Sequence, residues 1–337
     1  VGLIPRPKAK YGLCLPYTLE TYMSKEFERF HVVDQRGREL TRLNTDVMFY
    51  INVPLREIRD EVLGIMERFY QLCPREALGW YATETMKQFK PTTSRSFTLP
   101  KVWWKDGSPR KNLRELMLKG GAAHDSVGTC GIYLRSAERE DSIFKLKSNY
   151  LRFMIPADFM ETGSQAFVDF VIAVSNRIPF VSGHGGFVIE CNQYFPEDAQ
   201  GVAYPLAMRY QAVDIATMSR GPWAVRGERI KNVGWLTLIG SELLEKVGGG
   251  KALQHKASDR LSLVETAHGV LIQAGQKPVL GDVNRREDLS AFVDAYRLVE
   301  PLHNGIKELF APFKLPGDAD EVDATQRWLI RFRKKGA

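Results

Sequence analysis

A strand, helix, strand pattern closed by the same punctuation occurs twice in the chain, and no other feature constrains the fold as much. In the first copy the run at 47–53 (VMFYINV) reads as a strand. Pro54 then starts a helix on which Ile58, Val62, Ile65, Met66, Phe69 and Leu72 recur at helical spacing. Pro74 stops that helix, and after Gly79 the aromatic, β-prone run at 80–85 reads as a return strand. In the second copy 150–155 is the strand, Pro156 the break, and 159–178 the helix, with Phe167, Phe170, Val171 and Val174 on one side. Pro179 stops it, and Gly185 and Gly186 precede a strand at 187–191. The expectation is an α+β fold of two pseudo-duplicated subdomains, each a mixed or antiparallel β-sheet packed with helices.

The segments between and after the copies extend this reading. Runs 95–104 and 127–135 look like strands joined by a basic helix at 111–119, and sequential β-rich pieces favour antiparallel or mixed pairing over a parallel sheet. Further on come a strand at 234–239, a helix at 241–247 stopped by Gly248, Gly249 and Gly250, and a β-like run at 261–273. Leu289, Phe292, Val293, Tyr296 and Val299 form a helical stripe, with two helices expected over 290–310, broken at Pro301. The tail from Leu315 is polar and expected to be loosely held. The domain expectation is an N-terminal extension over 1–44, a first subdomain over 45–145, a second over 146–313 and a C-terminal tail over 314–337.

Composition removes several function classes. With 337 residues, 44% of them hydrophobic, the chain can bury a sizeable core, and 26% charge with 11% aromatics is ordinary globular usage. No apolar run reaches the roughly 18 residues a membrane span needs, and 1–10 lacks the order of a signal peptide, although the first residue is not Met. Cys14, Cys73, Cys130 and Cys191 lie more than fifty residues apart, without the close pairs of a zinc site or the density of a disulfide scaffold. Reduced, buried cysteines fit a cytoplasmic chain. The net charge of +7, from 47 Lys and Arg against 40 Asp and Glu, is a small excess in a mixed surface. Basic residues cluster at 6–10, 101–119 and 327–335, where solvated faces are the simpler account than a phosphate track.

The chemical motifs mostly dissolve on inspection. The run 182–187 (SGHGGF) is like the His-Gly-Gly oxyanion loop of esterases, but no Gly-x-Ser-x-Gly elbow accompanies it, so a glycine turn into a strand with His184 packed nearby is expected. Cys130 sits in an apolar strand pattern, as a core cysteine would. The run Gly248, Gly249, Gly250, Lys251 fails as a phosphate loop, since Glu245 stands where the first glycine belongs and Ala252 where the hydroxyl does. Asp282, Asn284 and Asp288 lack the glycine turn and closing Glu of a calcium loop and read as helix caps. The six histidines, 31, 124, 184, 255, 268 and 303, show no ligand spacing. No metal, cofactor or catalytic residue is therefore expected.

The C-terminal third carries a resemblance. The run at 235–240 (WLTLIG), with the helix after it and Gly248 and Gly249, resembles a segment of the bacterial TsiV family, type VI secretion immunity proteins associated with VRR-Nuc effectors. The run at 268–275 (HGVLIQAG), then Pro278, the run at 281–284 (GDVN) and a helix ending in Tyr296, Arg297, Leu298 and Val299, is similar to a second segment, and 183–190 to a third. The chain departs from the pattern at 232–234 (NVG), where an Asn directly before Trp235 would be expected. The similarity spans 45–313 and rests on glycines, aromatics and apolar runs, so no catalytic residues carry over. It implies a cytoplasmic, non-enzymatic antidote that binds and neutralises a cognate effector, a nuclease, by occluding its active or substrate-binding site.

A +7 chain does not imitate DNA wholesale, so the interface is expected to be shape-specific with a local acidic patch. Glu190, Glu197 and Asp198 beside Tyr194 and Phe195 are the first candidates, with Trp223 added because tryptophan is a typical hot-spot residue. The alternative patch is Asp318, Asp320, Glu321 and Asp323, which reads more simply as solvated tail. No membrane partner and no direct nucleic-acid binding are expected. The competing function is a nucleic-acid-binding protein using the basic stretches and tryptophans, Trp103 and Trp104 included, of which a strand would expose one. A third is a hydrolase built on His184 or Cys130.

Overall fold

The computed structural model describes residues 25–109, 111–142, 144, 148–216, 229–303, 313, 315 and 320–333. Its strands are β1 (Val32–Val33), β2 (Glu39–Ile51), β3 (Trp80–Thr83), β4 (Lys90–Pro91), β5 (Leu113–Lys119), β6 (Gly131–Ala137), β7 (Asn149–Pro156), β8 (Ser182–Cys191), β9 (Asp214–Ile215), β10 (Leu236–Gly240), β11 (Leu261–Thr266) and β12 (Gly269–Ala274). All belong to one sheet in the order β11-β12-β10-β8-β2-β7-β6-β5-β3-β4, with β1 beside β2 and β9 beside β8. Pairing is antiparallel except between β8 and β9. The α+β class is as the sequence implies.

The helices are α1 (Arg59–Phe69), α2 (Ser94–Trp103), α3 (Met160–Ser175), α4 (Pro196–Arg209), α5 (Ser241–Lys246), α6 (Gly249–Lys256), α7 (Ser290–Val299) and α8 (Glu321–Leu329). Both strand, helix, strand units are present, as β2–α1–β3 and β7–α3–β8. They do not hold a sheet each. β2 from the first unit lies between β7 and β8 of the second, whereas three strands separate β2 from its own return strand β3. The recurrence in sequence is thus not repeated in the strand order.

Residues alternate faces along a strand, and here the two faces differ in kind. Val47, Phe49 and Ile51 of β2 share one face with Leu151 and Phe153 of β7 and Ile132 and Leu134 of β6. The stripes of α1 and α3 that the periodicity marks cover this apolar face. Phe69 and Phe170 pack on Phe153 at 5.1 and 5.0 Å between ring centroids, all three fully or nearly fully buried. Burying each such ring stabilises by about 1.5–3 kcal/mol. The opposite face carries Asp46, Met48 and Tyr50 of β2, Arg152 of β7, and Tyr133 and Arg135 of β6.

Three local expectations are corrected. The run 95–104 is helical, because Thr93 and Ser96 form a capping box that starts α2. Trp103 and Trp104 are both buried, at 9% and 1% exposure, so neither is an exposed stacking platform. The basic run 111–119 is a strand, with Leu116 and Leu118 on the apolar face and Glu115, Met117 and Lys119 on the other, a period of two rather than 3.6. The tail is not loosely held over α8. Asp320 caps that helix by accepting from the Asp323 N–H, and Trp328 is fully buried, with the Arg331 guanidinium 4.1 Å above its ring and Phe313 5.5 Å away.

Replacing Trp328 by Ala should lower the unfolding free energy by about 3–5 kcal/mol, the usual cost of emptying a buried tryptophan site. Urea denaturation followed by circular dichroism measures it. A change near zero would mean that α8 contributes nothing to the core.

Candidate functional site

Burying charges on the polar face requires that they pair, and they do so across strands. Arg152 on β7 is 1% exposed and donates from Nε to Asp46 Oδ2 on β2 (2.5 Å) and from Nη2 to Glu190 Oε2 on β8 (2.6 Å). Desolvation opposes the charge on Arg152, but Glu190 and Asp46 outweigh it and raise its pKa well above the ordinary value. Burial raises the Asp46 carboxyl despite Arg152. A second cluster adjoins the first: His184 Nε2 lies 3.0 Å and Lys231 Nζ 2.9 Å from Asp214 Oδ2. Burial would push Asp214 up, yet Lys231 and His184 hold it well below the usual carboxylate range.

Beside this network the polar face opens into a cleft of about 540 Å³, lined by Glu115, Met117 and Lys119 of β5, Tyr133 and Arg135 of β6, and Glu190 of β8. The loop from β5 to β6 walls one side. Asn192 holds it, donating from Nδ2 to Glu39 O (2.7 Å) and Asp125 O (2.8 Å), while the Val127 N–H donates to Glu39 Oε2 (2.9 Å). Lys119, only 4% exposed, donates to Ser126 O (2.5 Å) and sits 4.4 Å from the Phe89 ring centroid. Burial lowers its pKa to about 8 although Glu190, Asp125 and Glu39 act the other way. Arg135 is 5% exposed, its Nε makes no hydrogen bond, and Glu115 Oε1 lies 3.6 Å from it. Half-buried rings gather beside the β5–β6 loop: His124 lies 6.0 Å from Trp80 and 6.3 Å from Tyr194.

The sequence candidates fall in different places around this cleft. Glu190 is on its floor, spent on Arg152, so it is no surface acid. Tyr194 accepts at Oη from the N–H of Phe89, a residue of the cleft wall (3.2 Å). Phe195 lies under the Arg38 guanidinium (4.2 Å), which also pairs with Asp198 Oδ2 (3.0 Å). Glu197 and Asp198 are exposed in the first turn of α4, where acidic side chains complement the helix dipole. Trp223 lies outside the described residues, as does Asp318. Asp320 is occupied as the α8 cap, and Asp323 pairs with Arg327 (2.8 Å).

The motifs set aside in the sequence have structural uses. The run 182–187 forms β8 itself, not a loop. A Cβ on Gly183 would meet Met48 O at 2.5 Å, and Gly186, at φ +143°, allows Trp235 to pack at 3.1 Å from where its Cβ would be. Cys130 is buried against Cys73, whose thiol is pushed far up mainly by that contact and by burial. Asp282 accepts from the Asn284 N–H as the cap of the short turn 283–285, whereas Asp288 accepts from the Ser290 N–H but does not cap α7, whose N-cap is Leu289. Among the described residues no group of three or more His, Cys, Asp or Glu is placed to hold a metal, and no helix is long and apolar enough to cross a membrane. In the described parts of the basic stretches Arg114 and Lys111 pair with Glu84, Arg327 with Asp323 and Arg333 with Glu300. Lys119, Arg135 and the 120–130 loop escaped sequence reading, since a charge alternating with leucines on a strand reads as solvent-facing.

A twelve-stranded, almost wholly antiparallel sheet, helices on its apolar face and a charged cleft on the other define the class of structure. The family model TsiV, described as type VI immunity for VRR-NUC, matches residues 61–332, and the chain belongs to that family. Among solved structures it is similar to the Pseudomonas aeruginosa T6SS protein PA0821, at 20% identity and a TM-score of 0.76, over 90% of this chain and 87% of that one, a likeness of fold. No curated protein matches significantly.

Replacing Arg152 by Met should destabilise the protein by about 3–5 kcal/mol at neutral pH, because two carboxylates are left buried without their cation. Their folded pKa values then rise above the unfolded one, so the penalty is full above the raised value and vanishes below the unfolded carboxylate pKa of about 4. Denaturation at pH 7 and pH 4.5 checks both signs: the deficit against the parent narrows on acidification.

Proposed function

We propose that this chain is a stoichiometric antidote that binds a cognate type VI effector, a nuclease, and neutralises it by covering its active or substrate-binding site. Family membership supports a nuclease effector as the partner. The antidote works in the cytoplasm of the producing cell and without chemistry of its own. Its titratable clusters support that view, since His184, Asp214 and Lys231 bind one another below the surface, as do Asp46, Arg152 and Glu190.

One observation carries the reading: the sheet presents an open cleft, and beside its β5–β6 wall gather Trp80, His124 and Tyr194, with Phe195, Glu197 and Asp198 following at the start of α4. Aromatic anchors beside charged rim residues are the composition of protein-binding hot spots. With a net charge of +7 the protein does not offer the broadly negative surface of a DNA mimic. Shape at the cleft, with Glu197 and Asp198 as a local acidic edge, supplies the specificity.

The purified effector should lose DNA cleavage when mixed with one equivalent of this protein. Exchanging Tyr194 and Phe195 for Ala should weaken the complex by roughly thirtyfold or more, the scale of losing about 2 kcal/mol at a hot spot. Calorimetric titration measures it, with thermal melts to show that the variant folds. An effector still active when saturated would overturn the mechanism, and full affinity in the variant would move the interface elsewhere.

A further inference from the structure

The carboxylates of the cleft are spent, and one of its cations is not. Glu190 is bound to Arg152, and Glu115 faces Arg135. Lys119 carries three N–H donors, of which one goes to Ser126 O, and no carboxylate among the described residues lies within ion-pair distance of its Nζ. Arg135 keeps an Nε without any hydrogen bond. Two buried cations with donors to spare, opening on a cleft of about 540 Å³, call for an acceptor from outside.

We propose that the cleft receives a protruding acidic segment of the effector, with one of its carboxylates docking on Lys119 and the segment extending toward Arg135. The proposal rests on the effector-binding reading and gives it a contact chemistry. Size agrees with it: the cleft admits a few side chains but no folded element. Charge complementarity agrees as well, since an entering lysine or arginine would meet carboxylates already engaged and, in Lys119, a cation without an ion-pair partner among the described residues. Phe89, 3% exposed and against Lys119, would shield the new pair from water and strengthen it.

A proton-linked signature follows. The groups facing Lys119 are Glu190 from β8, Asp125 from the β5–β6 loop, Glu39 from β2 and Tyr133 from β6, while Phe89 brings no charge. Free Lys119 loses its proton around pH 8 because it is buried; a docked carboxylate keeps it charged. Binding therefore takes up a proton above pH 8, and affinity falls as pH rises.

The probe is the cognate effector in a cleavage-dead form, titrated at pH 7 and pH 9.5. The parent protein should bind roughly tenfold or more weakly at the higher pH. Lys119→Met should bind at pH 7 as weakly as the parent does at pH 9.5, and without pH dependence. Lys119→Arg, which stays charged, should keep its affinity at both. Tight binding by Lys119→Met, or the parent's pH slope persisting in Lys119→Arg, would overturn the inference while leaving the effector complex standing. Failure of the parent to bind at all would remove both.

Discussion

Arg152 stands on β7 with carboxylates from β2 and β8 on its Nε and Nη2, so three adjacent central strands converge on one guanidinium. Such a triad gains little stability over apolar residues of the same volume, since desolving three charges offsets their attraction. Its effect is on register. A one-residue slip of β2 would carry Asp46 to the face filled by Phe49, Phe153 and Phe170, and would bring Val47 and Phe49 into the charged cluster. Neither arrangement can be satisfied, which leaves one alignment for the middle of the sheet. The cleft inherits that rigidity, because Glu190 is pinned at its floor and Tyr133 lies under the same guanidinium, 5.4 Å from it.

How far the sequence revealed this fold depended on whether a signal was local. Helices α1 and α3 were legible because their buried residues, Val62, Ile65, Met66 and Phe69, then Phe167, Phe170, Val171 and Val174, keep a 3.6 period between prolines. The strand order was not, since nothing in 47–53 states that its partners lie beyond residue 148. At 111–119 the basic residues drew attention away from the alternation of Leu116 and Leu118. At 95–104 β-prone side chains outvoted a capping box. In the tail, Asp320, Glu321 and Asp323 masked the stripe of Ala324, Thr325, Trp328, Leu329 and Phe332, all buried and at helical spacing.

Little of the candidate site was legible in the sequence. Tyr194, Phe195, Glu197 and Asp198 stand out as aromatics beside charges, yet the cleft is lined by their neighbours Gln193 and Pro196, and Tyr194 reaches it through its bond to the Phe89 N–H. Lys119 and Arg135 could not be found that way. Their burial depends on residues far off in the chain, Asn192, which holds the loop after β5, and the start of α4, so it is a property of the assembled face. For the same reason Glu190 looked like an exposed acid: the residue that claims it, Arg152, lies 38 positions earlier on a strand that is not even its neighbour.

The place of β2 has a consequence for what counts as the unit of this family. The match to the family begins at residue 61, whereas β2 ends at Ile51. Yet β2 fills the lane between β7 and β8, pairing along most of its length with both. A chain trimmed to the recognisable boundaries would keep two strands running the same way with an empty slot between them, the Arg152 guanidinium lacking Asp46, and unpaired backbone on both flanks of the gap. Such a slot would accept almost any extended segment, including the same strand of another copy. The part of this protein that is recognised and the part that folds are different pieces of chain.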